Sequence, residues 1–116
     1  MTVTVTNLTK SPPRSGRETL GRYAWLARLA DKVRAEHAGF EGEYIAYCGL
    51  SQGFLKRAGI TEDEFDILVR DGSSDADLVR YFDGHVDDAH REAANAYVLN
   101  DMQAHLDKQD AEEGRG

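Results

Sequence analysis

The sequence predicts an all-α fold of about five helices, and three observations carry that expectation. Capping pairs recur: Ser15 with Glu18, Thr61 with Glu64 and Ser74 with Asp77 each place a helix-starting hydroxyl three residues before an acid. Glycines stand just past helix-forming stretches at Gly39, Gly59 and Gly72, where a chain leaves a helix through the left-handed region. No alternating apolar pattern exists beyond residues 2–6, a run too short and terminal to count as a strand.

The elements follow in order. The first capping pair opens a helix over residues 17–37, and the glycine-interrupted stretch 39–53 reads as a loop. A short helix over 51–58 stops at Gly59. The second capping pair starts a helix ending at Gly72, the third starts one running to residue 83, and a final helix covers 86–110. Residues 1–11 form an N-terminal extension and 111–116 a frayed tail. Turns between helices are short and nothing resembles a linker, so residues 1–116 are expected to form a single helical domain. With 41% hydrophobic residues, a chain of this length buries roughly two-thirds of its unfolded surface, enough for one core.

Composition narrows the function classes. Cys48 is the only cysteine, so no intrachain disulfide forms and a cytoplasmic location is expected. No apolar run approaches the length of a signal peptide core or a membrane span. The net charge of -7 is uneven: residues 1–58 carry nine Lys/Arg against five Asp/Glu, and 59–116 carry five against sixteen. So acidic a second half opposes nucleic-acid binding. The basic first half suits one small anion, or its arginines pair with the acidic half across the fold.

On the first predicted helix, Leu20, Tyr23, Ala24, Leu26, Ala27, Leu29, Ala30 and Val33 cover most of the circumference, which makes it central. Asp31 lies inside that apolar arc and needs a cationic partner. Arg28 and Arg34, each three residues away, are expected to form a structural ion pair with it. Arg17, Arg28 and Lys32 fall on one side of the same wheel, and Arg14 and Arg17 flank a helix N-terminus that favours negative charge. Four cations so placed need Glu43, another carboxylate or a bound anion among them. Cys48, in the glycine-rich loop with Tyr44, is a thiolate nucleophile if a lysine or arginine lowers its pKa, and otherwise a small buried apolar residue. Tyr23, Trp25, Tyr44 and Tyr47 either stack a planar ligand or fill the core. Asp101 and His105 have a chelating spacing, and His85 and His90 lie nearby, but the set matches no metal pattern. Neither a metal nor a cofactor is expected.

The residues Pro12-Pro13-Arg14-Ser15, Arg17, Leu20-Gly21, Leu26, Arg28, Asp31-Lys32, Arg34, Gly42-Glu43-Tyr44, Cys48, Leu50, Phe54-Leu55 and Gly59-Ile60 resemble the bacterial domain-of-unknown-function family 5069. The likeness continues through Leu106-Asp107 to Glu112-Glu113-Gly114-Arg115, nearly to the chain's end. It implies a small, mostly helical, cytoplasmic bacterial domain, and it carries over no activity, cofactor or catalytic residue. Where members resemble Cys-Pro-Leu-Asp, this chain has Cys48-Gly49-Leu50-Ser51. If that Asp caps the next helix, Ser51 can replace it; if it binds a metal or acts as a base, this chain has lost that function.

No residue spacing spells out a reaction. The leading expectation is a ligand-binding or accessory domain that takes a small anion among Arg14, Arg17, Arg28, Lys32, Glu43, Tyr44 and Cys48. A protein-interaction module, a homodimer included, comes second, and a small cofactor-free or metal-dependent enzyme third.

Overall fold

One helix carries ten consecutive buried residues, 26–35, and the remaining elements are arranged around it. The computed structural model describes residues 3–115, so Met1 and Thr2 of the N-terminal extension and Gly116 of the expected frayed tail lie outside the described residues. In chain order the elements are α1 (Leu26–Ala38), α2 (Gly49–Ala58), α3 (Glu62–Arg70), α4 (Asp75–His85), α5 (Asp88–Ala96), a π-helical turn (Tyr97–Asp101) and α6 (Gln103–Glu112). The fold is all-α, with six α-helices and no strand among the described residues.

Two of the three capping pairs form as their spacing predicts. The Glu64 backbone N–H donates to the Thr61 hydroxyl at 3.0 Å, and the Thr61 backbone N–H donates back to the Glu64 carboxylate at 3.1 Å. Ser74 and Asp77 repeat this at α4. Gly39 and Gly59 close α1 and α2 in the left-handed region, at φ 78° and 79°, where a side chain is strained.

The remaining pair, Ser15 with Glu18, does not cap a helix. Residues 15–25 form turns instead, with Gly21 at φ 59° and Trp25 at φ 71°, and α1 starts only at Leu26. Tertiary bonds override the local signal. The Tyr23 hydroxyl donates to Asp83 at 2.8 Å, the Ala24 backbone N–H to Asn95 at 3.0 Å and the Trp25 indole N–H to Ser51 at 3.0 Å. Tyr23, Ala24 and Trp25 are all fully buried, and their bonds draw them toward three different elements, α4, α5 and α2. The Ser15 hydroxyl, freed from capping, donates to Asp110 at 2.8 Å.

The predicted final helix also divides. The Met102 N–H reaches back to the Tyr97 carbonyl at 3.0 Å, a widened turn that shifts the helical face. Val98 then packs in the core, and Leu106 comes to lie beside Gly16 and Trp25 at the head of α1. A Cβ on Gly16 would stand 2.6 Å from the Trp25 ring, so only glycine allows this approach. Farther along the core, Phe82 of α4 meets Tyr23, Phe54 and Phe65 at centroid distances of 5.2, 6.2 and 6.1 Å. At the chain's end residues 111–115 do not fray: the Glu113 side chain is 7% exposed and binds α1.

Candidate functional site

The charged residues of α1 divide between two sides of the helix. On one side Asp31 accepts three hydrogen bonds from Arg14, through its backbone N–H at 2.9 Å, Nε at 3.0 Å and Nη2 at 2.9 Å. Arg14 continues to Asp75 at 2.9 Å, and Asp75 also accepts from Arg34 at 2.8 Å. Asp31 is thus buried and paired, but the expected partners are corrected. Arg14 holds it directly, Arg34 joins only through Asp75, and Arg28 has another partner altogether. A cleft of about 510 Å³ adjoins these groups, between residues 3–6, α1 and the start of α4. Its two arginines face two carboxylates, so its charge is balanced.

Arg17 leaves the expected cluster. It is not on α1, and its guanidinium binds Asp107 at 2.5 Å and Asp110 at 2.7 Å. The wheel angle that grouped it with Arg28 and Lys32 assumed a helix that starts nine residues too early. Arg22 pairs with Asp83 at 3.4 Å. Arg14, Arg17, Arg22 and Arg34 therefore reach across to acids of the second half, which is the cross-fold pairing that the charge asymmetry also allowed.

The other side of α1 faces a cleft of about 460 Å³ lined by Arg28, Lys32, Glu43, Tyr44, Ile45, Cys48, Gln109, Glu112 and Glu113. Five of the seven expected site residues meet here: Arg28, Lys32, Glu43, Tyr44 and Cys48. Arg14 and Arg17 do not. Arg28, 2% exposed, makes a fork to Glu113 at 2.8 and 2.7 Å, and the Tyr44 hydroxyl donates to the same carboxylate at 3.1 Å. Glu43 stands exposed at the rim, so the carboxylate expected among the cations is Glu113. Arg115 also binds Glu113.

Lys32 is 3% exposed. Among the described residues its ammonium has one hydrogen-bond partner, the Cys48 sulfur at 3.5 Å, and no carboxylate within ion-pair distance. Its Nζ also lies 5.3 Å from the centre of the Trp25 ring, over which Arg28 stands at 5.5 Å. Burial, the largest cause, lowers the Lys32 pKa, and Arg28 adds to that, with Cys48 offsetting only part. Burial pushes the Cys48 thiol up, but Lys32 and Ser51 outweigh it and the net direction is down. The Ser51 hydroxyl stands 3.5 Å from the thiol and is itself held by the Trp25 indole. Burial likewise opposes ionisation of Glu113, yet the Arg28 guanidinium holds its carboxyl below the ordinary value.

The cleft contains further unmet polar groups. Gln109 Oε1 and Arg28 Nε are buried without partners among the described residues. Arg34 Nε is unpartnered on the opposite side, so a spare guanidinium N–H does not distinguish the two clefts. Lys32 and Gln109 do. Sequence reasoning missed Glu113, Gln109, Ser51 and the clamping role of Trp25. The acidic tail and the opposed charges of the two halves were the available signals, but neither says which acid meets which arginine.

No three His, Cys, Asp or Glu side chains converge on a possible metal position among the described residues. His85 stacks on Tyr81 at 3.9 Å and His90 binds Asp87 at 2.7 Å. No helix among the described residues is long and apolar enough to cross a membrane.

The family model described as Domain of unknown function (DUF5069) matches residues 10–115, nearly the whole chain. The chain belongs to this family. No curated protein matches it. The matched residues include both sides of α1 and the tail that carries Glu113.

Proposed function

We propose that this DUF5069 chain is a ligand-binding domain whose site is the cleft between α1, residues 43–48 and the end of α6, and that its ligand is a small molecule with an anionic group. One observation carries the reading: Lys32 is 3% exposed and lacks a carboxylate partner among the described residues. A buried ammonium without a counter-charge is costly, and a polar group left short of partners in a cleft is a ready contact for a ligand. Two buried cations, Arg28 and Lys32, line the cleft with one inner carboxylate, Glu113, which Arg28 binds, while Glu43 and Glu112 stay at the exposed rim. The other arginines of the first helical region are already matched by protein acids, which moves the anion-binding role to Lys32. A bacterial cytosol, the setting that the family resemblance implies, suits a half-buried free thiol, because thiols there stay reduced.

Thermal unfolding at constant ionic strength tests this with inorganic phosphate, sulfate and acetate as probes. The melting temperature is expected to rise with the logarithm of concentration for at least one of them. Lys32→Met should abolish that response, and Arg17→Ala should keep it, because Arg17 serves Asp107 and Asp110. Equal shifts in the parent and Lys32→Met would overturn the assignment.

A further inference from the structure

Simple ligand capture leaves one group in the cleft unused, the Cys48 sulfur. Three features of the fold act on it together. Cys48 is the N-cap of α2, a ten-residue helix, so the sulfur lies at a helix end whose free N–H groups and dipole favour negative charge. Lys32 Nζ stands 3.5 Å away from a different helix. Ser51, fully buried and held by the Trp25 indole, places its hydroxyl 3.5 Å from the sulfur.

The second observation is the state of Lys32 itself. An ammonium carries three donors, and this one, 3% exposed on the wall of the cleft, spends one on the thiol and has no acceptor for the others among the described residues. A thiolate would supply the counter-charge that no carboxylate supplies. Cys48 is half-buried and lines the same cleft, so a small reagent reaches it. Trp25, the only non-glycine residue with positive φ among the described residues, holds the arrangement from beneath at φ 71°. Strain of this kind persists only where surrounding structure compels it.

Resting on the same cleft as the ligand-binding reading, we infer that Cys48 is a thiolate nucleophile which hydroperoxides oxidise, with Lys32 as the proton donor to the departing oxygen. The sulfur attacks the terminal peroxide oxygen, and a sulfur–oxygen bond forms as the oxygen–oxygen bond breaks. Sulfur loses two electrons and the peroxide gains them. The departing alkoxide takes a proton from the Lys32 ammonium, leaving Cys48 as a sulfenic acid, an alcohol (water when the oxidant is hydrogen peroxide) and a neutral Lys32 amine. Because Cys48 is the only cysteine, no second thiol of the chain condenses with the product. The sulfenic acid therefore accumulates long enough to be trapped.

The experiment treats the full chain with hydrogen peroxide in the presence of dimedone, locates the adduct by mass spectrometry, and measures alkylation by iodoacetamide against pH. Dimedone should label Cys48, and alkylation should reach half its maximal rate below the ordinary thiol range of about pH 8.5. Oxidation at neutral pH should run about tenfold or more faster than that of free cysteine, and Lys32→Met should slow it by a similar factor. The pH profile of the unmodified chain keeps the test decisive even if the variant folds poorly. A Cys48 that reacts no faster than free cysteine, or rates unchanged in Lys32→Met, would overturn the inference. Cys48→Ser separates the two readings: a phosphate response that survives there while the parent's thiol proves inert leaves ligand binding standing and removes the redox role. A reactive thiol in a parent that no anion stabilises does the reverse.

Discussion

Asp31 and Lys32 are neighbours on α1, yet one belongs to a closed network and the other to an open cleft. On the Asp31 side two carboxylates, Asp31 and Asp75, meet two guanidiniums, Arg14 and Arg34. On the Lys32 side a single inner carboxylate, Glu113, already engaged by Arg28 and Arg115, leaves the ammonium with only a thiol. Burial is similar, 8% exposure for Asp31 and 3% for Lys32. The difference lies in the completeness of pairing. Where charges balance through short bonds, removing one member costs stability; where one charge lacks a partner, removing it costs little and what is lost is chemistry.

Asp31→Ala is expected to have the largest effect on stability. It strips three hydrogen bonds from Arg14 and leaves Arg14 and Arg34 to share Asp75. A loss of about 3 kcal/mol is expected by chemical denaturation. A loss under about 1 kcal/mol, the level of exposed pairs, would mean that the network is not structural.

Glu113→Ala removes both bonds of the Arg28 fork and should cost less, about 2 kcal/mol. Its carboxylate sits on the chain's last turn, so the tail can release and let water reach Arg28, whereas Asp31 lies mid-helix. Hydrogen exchange should accordingly rise at residues 111–115 in this variant and stay unchanged along α1. Acid provides a matching test. Asp75 and Glu113 both titrate below ordinary carboxylate values when folded, since their arginines outweigh burial. Their stabilisation is complete above about pH 5 and is lost as the pH falls through about 4 and below. A melting temperature flat across that range would contradict both pairings.

Arg17→Ala should cost less again, because Arg17 and Asp107 stand open to water, which replaces much of their contact. Smallest of all is Lys32→Met. The thioether keeps the volume of the stem and removes a charge without a full partner, so denaturation midpoints should match the parent or rise slightly. A loss above about 2 kcal/mol would place Lys32 among the structural charges and erase the distinction between the two sides.

Much of the fold was legible from local signals. The Thr61–Glu64 and Ser74–Asp77 pairs, and Gly39 and Gly59, mark helix ends because capping involves groups only three or four residues apart. Ser15 with Glu18 carries the same signal and fails, since the bonds of Tyr23, Ala24 and Trp25 to residues 83, 95 and 51 outweigh it. The cleft was legible in part. Six of its residues lie within 28–48, close enough along the chain for pattern reasoning to group five of them.

By itself the sequence determined the all-α class, most helix ends, the burial of Asp31 and the charge contrast between the two halves. Only the tertiary structure decided that Asp31 belongs to Arg14, that Glu113 and not Glu43 serves Arg28, and that Lys32 is left facing Cys48. Helical periodicity reports which side of an element is apolar, a property of neighbours in sequence. Ion pairing across 17 to 93 residues depends on how whole elements pack, and many pairings satisfy the same charge count until one packing brings particular atoms within about 3 Å.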